Sequence, residues 1–200
     1  MKGQNEVLVL IMITGILFAV IAAVWLWATP IIERNKEISF LRSTEDFTKD
    51  LANEIKLVAK NGGKAELRAN ALSPKTTILL NVSDIQIFTI TQDTIYEKNF
   101  EIPLKEMACG TTAAIWGLND SDVICILSVP IGKDNVRTRF SINFIQLNAG
   151  TTRAYKITLL PLTQISSLEK ASVLLENKGV QETTADGRTL ISTLIAINIV

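Results

Sequence analysis

From Val7 to Ala28 only Thr14 and Gly15 interrupt an otherwise apolar run, and no residue from Val7 to Ile32 is charged. At about 1.5 Å per helical residue, these roughly 26 positions span about 39 Å, against a bilayer hydrocarbon core of about 30 Å. The run is long enough to cross a membrane with some tilt, and too long and too apolar for the core helix of a soluble domain. Whatever follows is read as cargo on a membrane helix.

Two hundred residues leave room for one such segment and one modest domain. Lys and Arg total 20, Asp and Glu total 20, and there is no histidine. A nucleic-acid binder needs clustered Lys and Arg to neutralise phosphates, so no nucleic-acid partner is expected. The missing histidine removes the commonest general base and neutral metal ligand. The two cysteines, Cys109 and Cys125, are disulfide candidates if the domain is exported; otherwise they are two buried thiols.

A secretory signal would have a shorter apolar core and a small-x-small cleavage site. Here the run ends in Val24-Trp25-Leu26-Trp27-Ala28-Thr29-Pro30, without an Ala-x-Ala site. The two tryptophans read instead as an interfacial aromatic anchor. Directly before the run stand Lys2, Gly3 and Gln4. This arrangement resembles the class III signal peptide of archaeal type IV pilin-like proteins. The resemblance is limited to about the first 33 residues. It implies a prepilin peptidase cutting between Gly3 and Gln4 and a retained helix that serves as the assembly element. It also implies an acidic residue near the mature N-terminus. Many family members carry it at the fifth mature position; this chain departs from that, with Leu8 there and its acid, Glu6, at the third. Glu6 either pairs with the α-amino group of Gln4 on a neighbouring subunit, setting register, or snorkels to the headgroups.

Pro30 removes a backbone donor and disfavours helical geometry at Thr29, so the helix is expected to kink or restart there. Helical periodicity then runs from about Ile31 to Lys60, with Ile38, Leu41, Phe47, Leu51, Ile55 and Val58 as an apolar stripe among charges. The stripe is expected to pack on the domain that follows, and Gly62-Gly63 to end the helix. From about Lys75 the period becomes two. Strands are expected at Thr76–Val82, Asp84–Ile90, Thr94–Ile102, Asp122–Ile131, Val136–Gln146 and Arg153–Leu160. Leu104–Leu118 reads as a loop over one end of the domain. Ser166 to Glu169 fits a capping box, which predicts a short helix through Leu168, Ala171 and Leu175, with a strand as the alternative. Val180–Arg188 reads as polar and exposed, and Thr189–Val200 as a buried last strand.

The fold class expected is therefore α+β: a long hydrophobic helix continuing as an amphipathic stalk, then an antiparallel β-sandwich-like domain. Its divisions are 1–33, the leader and membrane helix; 34–63, the stalk; and 64–200, an extracytoplasmic β domain. No catalytic motif, cofactor site or metal-ligand cluster is present, so no enzyme is expected. Asp120 and Asp122 are paired acids, read as part of a polar turn. Asn81 and Asn119 head Asn-x-Ser sequons and are glycosylation candidates in an exported domain.

The expected function is that of a cell-surface structural protein, a pilin-like subunit or minor pilin. Its partners would be membrane lipid, the prepilin peptidase and other pilin-like subunits. The alternatives are an anchored surface binding module that does not polymerise, and a domain facing the cytoplasm. Arg34 and Lys36 after the span lean toward the last by basic-residue counting; the leader, the cysteines and the β domain argue for the outside.

Overall fold

The computed structural model describes residues 2–69, 72–169, 171–185 and 187–200, the side chains of residues 2–8 and 185 excepted. One helix, α1 (Lys2–Asn61), runs without a break through the apolar segment and the amphipathic segment. At about 1.5 Å per residue it is about 90 Å long. Pro30 lies inside it, so the expected restart does not occur. Proline is tolerated within membrane helices because neighbouring groups re-satisfy the backbone. The carbonyl that Pro30 leaves without its N–H partner is that of Leu26; the adjacent Thr29 hydroxyl donates to the Trp25 carbonyl at 2.8 Å. The helix ends where Gly62 donates to the Val58 carbonyl at 3.0 Å. Gly62 (φ 75°) and Gly63 (φ 87°) are both in the left-handed region that terminates helices.

Among the described residues twelve strands follow, in two sheets of six. The first sheet has the order β1 (Lys64–Arg68), β11 (Ser172–Ala185), β12 (Arg188–Ile199), β9 (Arg153–Pro161), β8 (Gln146–Ala149) and β5 (Ala113–Ile115). The second has β10 (Ile165–Ser167), β2 (Thr77–Leu80), β3 (Asp84–Thr91), β7 (Asn135–Phe144), β6 (Asp122–Ile131) and β4 (Glu101–Pro103). The pairings are antiparallel except β12 with β9 and β5 with β8. Those two parallel pairs depart from the all-antiparallel expectation. Parallel neighbours need a long crossover. Both pairs have one: the chain visits the second sheet, through β10 or through β6 and β7, before returning.

The amphipathic part of α1 is a wall of the domain. Leu41, Phe47, Leu51, Ala52, Ile55 and Val58 are buried in one cluster. With them lie Ile85, Ile87, Ile126, Phe140 and Ile142 of the second sheet, and Ile157, Leu159, Val173, Leu175, Ile195 and Ile197 of the first. The helix touches β1, β11 and β12 on one side and β3 and β7 on the other. The expected stalk is thus core material from Leu41 onward. Fully burying each such side chain stabilises by about 1.5–3 kcal/mol.

Local readings changed in four places. In place of the expected helix after Ser166, Ser167 closes β10 and the chain turns at Glu169. Ser172 begins β11, where Val173 and Leu175 point inward and Leu174 outward. The period-two burial between β1 and β12 outweighs the capping pattern. Of Thr94–Ile102 only the end, at β4, is strand. The loop Leu104–Leu118 contains β5. Val180–Thr184 is exposed, but as the outer part of β11, paired with β12. The last strand is central in its sheet, with only Ile195, Ala196 and Ile197 buried.

Candidate functional site

Among the described side chains, the first half of α1 from Val9 to Trp27 lies exposed. Every large apolar side chain from Val9 to Trp27 is more than half exposed, and Trp25 and Trp27 reach 72% and 71%. One window of this segment has a mean hydropathy of 2.8 and none of it is buried. The hydroxyls within it are satisfied internally: Thr14 donates to the Leu10 carbonyl and Thr29 to that of Trp25. A Cβ added at Gly15 would meet nothing within 4 Å, so the small-residue patch at Thr14-Gly15 is open. This is a segment built for an apolar solvent or for other helices. Gly3, Gln4 and Glu6 lie in its first turns, and their side chains fall outside the described residues.

The helix meets the β domain at Arg34, whose guanidinium lies 3.5 Å from Asp93. One turn on, the Glu37 carboxylate accepts from the backbone N–H groups of Gln92 (3.0 Å) and Asp93 (3.3 Å). Higher up, Glu45 accepts from Lys49 at 2.5 Å and from the Tyr96 hydroxyl at 2.6 Å. Burial pushes the Glu45 carboxyl up, but the bonds from Lys49 and Tyr96 outweigh it and hold the group below its usual range. Burial first, and then the bond to Glu45, push the Tyr96 hydroxyl far above its usual range. The Tyr96 ring also meets Phe140 edge to face, 5.9 Å between centroids. Beside it, the Thr89 hydroxyl bridges those of Thr76 (3.1 Å) and Thr44 (3.4 Å) in the buried interface between α1 and the second sheet. These contacts lock the helix to the domain.

At the far end of α1 two lysines and two aspartates gather. The Asp122 side chain has no exposed surface, and the Lys105 ammonium donates to its Oδ2 at 2.7 Å. Lys56 lies 2.9 Å from Oδ1 but outside hydrogen-bonding geometry, so that contact is purely ionic. Lys105 also donates to Asp120 at 3.0 Å. The bond from Lys105 holds the Asp120 carboxyl below its ordinary value, against a smaller upward push from burial. Burial alone would lower Lys105; hydrogen bonds, chiefly to Asp122, outweigh it and raise the ammonium above its ordinary value. Asp122 is thus a buried first residue of β6 rather than part of a polar turn. With two carboxylates and two ammonium groups within ion-pairing distance, the cluster reads as a fastening between α1, the 105–120 segment and β6.

Over this cluster opens a cleft of about 580 Å³, lined by residues that include Lys56, Lys60, Trp116, Asn119, Asp120 and Tyr155. Trp116 and Tyr155 stack with centroids 4.2 Å apart, and Trp116 is 52% exposed. The covalent frame of this end is the Cys109–Cys125 disulfide, with Cα atoms 6.0 Å apart. It joins the loop to β6 above a small satellite core of Val123, Cys125, Ile145 and Leu147. Of the two sequon asparagines, Asn119 is exposed and its side-chain oxygen accepts from the Ile115 N–H at 3.1 Å. Asn81 is half-buried and donates to Asp84 at 3.0 Å. Among the described residues no three His, Cys, Asp or Glu side chains converge as metal ligands.

The lysine–aspartate cluster and the Trp116–Tyr155 pair escaped the sequence reading. Their members are 49 or more residues apart in the case of Lys56 and Lys105, and 39 apart in the aromatic pair, so no local spacing marks them. No family model matches this chain, and neither does any curated protein or solved structure.

Proposed function

We propose that this chain is a non-enzymatic cell-surface structural protein, a pilin-like subunit or minor pilin, with its β domain outside the cell. One observation carries the reading: a single unbroken helix is bare and apolar over its first half and forms the domain core over its second. The bare half rests in the bilayer before assembly and packs against its copies afterwards. Gly15 and the Ala22-Ala23 pair offer close approach. Cleavage between Gly3 and Gln4 frees the α-amino group that Glu6 of a neighbour pairs with. In this reading the two sheets close on the helix as a sandwich-like outer layer. The Cys109–Cys125 bond fits an oxidising exterior.

A photo-cross-linking residue placed at Gly15 in the native host tests the assembly. Cross-linked oligomers of the chain, or hetero-oligomers with other pilin-like subunits, recovered in a sheared surface fraction support it; lipid adducts alone contradict it. Protease treatment of intact cells tests the topology, since a protected domain places it inside.

The distal cleft favours a second reading, an anchored binding module that does not polymerise. It predicts a monomer in detergent and cross-links at Gly15 to lipid only.

A further inference from the structure

The cleft at the far end of α1 is a built site with a definite chemical character. It stands away from the membrane. Lys56 lies 24 residues beyond Ile32 on the same helix, which is roughly 36 Å at the helical rise. Lipid is therefore not its occupant.

Its wall carries an aromatic platform, with Trp116 half exposed and backed by Tyr155 at 4.2 Å. A side chain that large is normally covered in a monomer, and backing by a second ring fixes its orientation. Around the platform stand a carboxamide (Asn119), a carboxylate (Asp120) and a hydroxyl (Ser121). Asp120 is fixed by Lys105 and remains 56% exposed, so it retains lone pairs for a ligand. The ammonium groups come from Lys56 and Lys60 of α1, one turn apart, and from Lys156 of β9. Lys56 is committed to Asp122, while Lys60, exposed, and Lys156, half-buried, are in no ion pair with any described residue.

We infer that this cleft binds an acidic saccharide, a sugar residue bearing a carboxylate. The apolar face of the ring lies on Trp116. Its hydroxyls exchange hydrogen bonds with Asn119, Asp120 and Ser121, and its carboxylate meets Lys60. A volume of about 580 Å³ accommodates two or three such rings. A single-stranded polynucleotide also stacks on aromatic rings, but it needs a positive groove along its backbone. Here the lining ammonium groups outside any ion pair among the described residues are Lys60 and Lys156, which suit a carboxylate on one ring rather than a row of backbone phosphates. The inference concerns the domain alone and stands whether or not the helix polymerises.

The test is calorimetric titration of the full chain in detergent at low salt, made in a host without N-glycosylation so that Asn119 is bare. The probes are tetragalacturonate, neutral maltotetraose and a dodecamer of deoxythymidine. Tetragalacturonate is expected to bind saturably and at least about tenfold tighter than maltotetraose. Trp116→Ala should abolish binding of both sugars. Lys60→Gln should reduce the preference for the acidic one, with Lys156 left in place, and leave binding of the neutral one unchanged. Both substitutions fall on exposed positions, and circular dichroism checks that each variant is folded. Three results overturn the inference: no saturable binding of tetragalacturonate by the folded protein, unchanged affinity in Trp116→Ala, or tighter binding of the oligonucleotide.

Discussion

The Lys105 ammonium lies 2.7 Å from Oδ2 of Asp122, a carboxylate with no exposed surface at the start of β6. With Lys56 at 2.9 Å on the other oxygen, Asp122 joins the end of the helix to the sheet. Removing the carboxylate strands two ammonium groups that retain partial access to water. Asp122→Ala is expected to cost about 2–4 kcal/mol, and Lys105→Met about 1–2 kcal/mol. The pH dependence has two limbs. The Asp120 carboxyl is held below its ordinary value of 3.8, so its contribution is present above that pH and lost as the pH falls. Lys105 is raised above its ordinary 10.5, so its contribution is complete below that pH and lost as the pH climbs beyond it. Urea unfolding in detergent should show stability falling on both sides, with the alkaline loss smaller in Lys105→Met.

Ile55 is fully buried where the helix meets both sheets. Ile55→Ala leaves a cavity and is expected to cost about 2–5 kcal/mol. Leu57, half exposed on the opposite face, serves as the control. Leu57→Ala should change stability by less than about 1 kcal/mol in the same unfolding experiment.

The Cys109–Cys125 bond closes a loop of 16 residues over the satellite core. Its removal in Cys109→Ala/Cys125→Ala is expected to cost about 3 kcal/mol in the chain-entropy model. At this chain length that is a fall of about 6–12 °C in Tm, read by circular dichroism. A reducing agent should reproduce the fall in the parent and do nothing to the variant.

Much of the architecture was readable because its causes are local. A charge-free run of bilayer length announces a helix long and apolar enough to cross a membrane. The alternation through Phe140, Ile142 and Phe144 marks β7, where all three are buried. What escaped was set by distance along the chain. Ser166 to Glu169 carries a helix-start pattern, yet Val173 and Leu175 gain more by facing the core between β1 and β12. Asp122 looks like a turn residue until Lys56 and Lys105 are seen to converge on it. Trp116 and Tyr155 meet only because β5 and β9 both flank β8.

The two halves of α1 should be separable. Contacts between the helix and the β domain begin at Arg34, among the described ion pairs and hydrogen bonds. A fragment of residues 34–200 should therefore be soluble without detergent. It should unfold within about 1 kcal/mol of the full chain, since no core side chain is lost. Aggregation of a well-folded 34–200 fragment would show that the apolar half covers part of the domain.

The central claim is that the apolar half is kept and processed at its front, and the mature N-terminus measures this most directly. N-terminal sequencing and intact mass of the protein from its native membrane should give a chain beginning at Gln4, with the whole run from Val7 to Ile32 retained. A chain beginning at Met1, or at any residue beyond the apolar run, would contradict it.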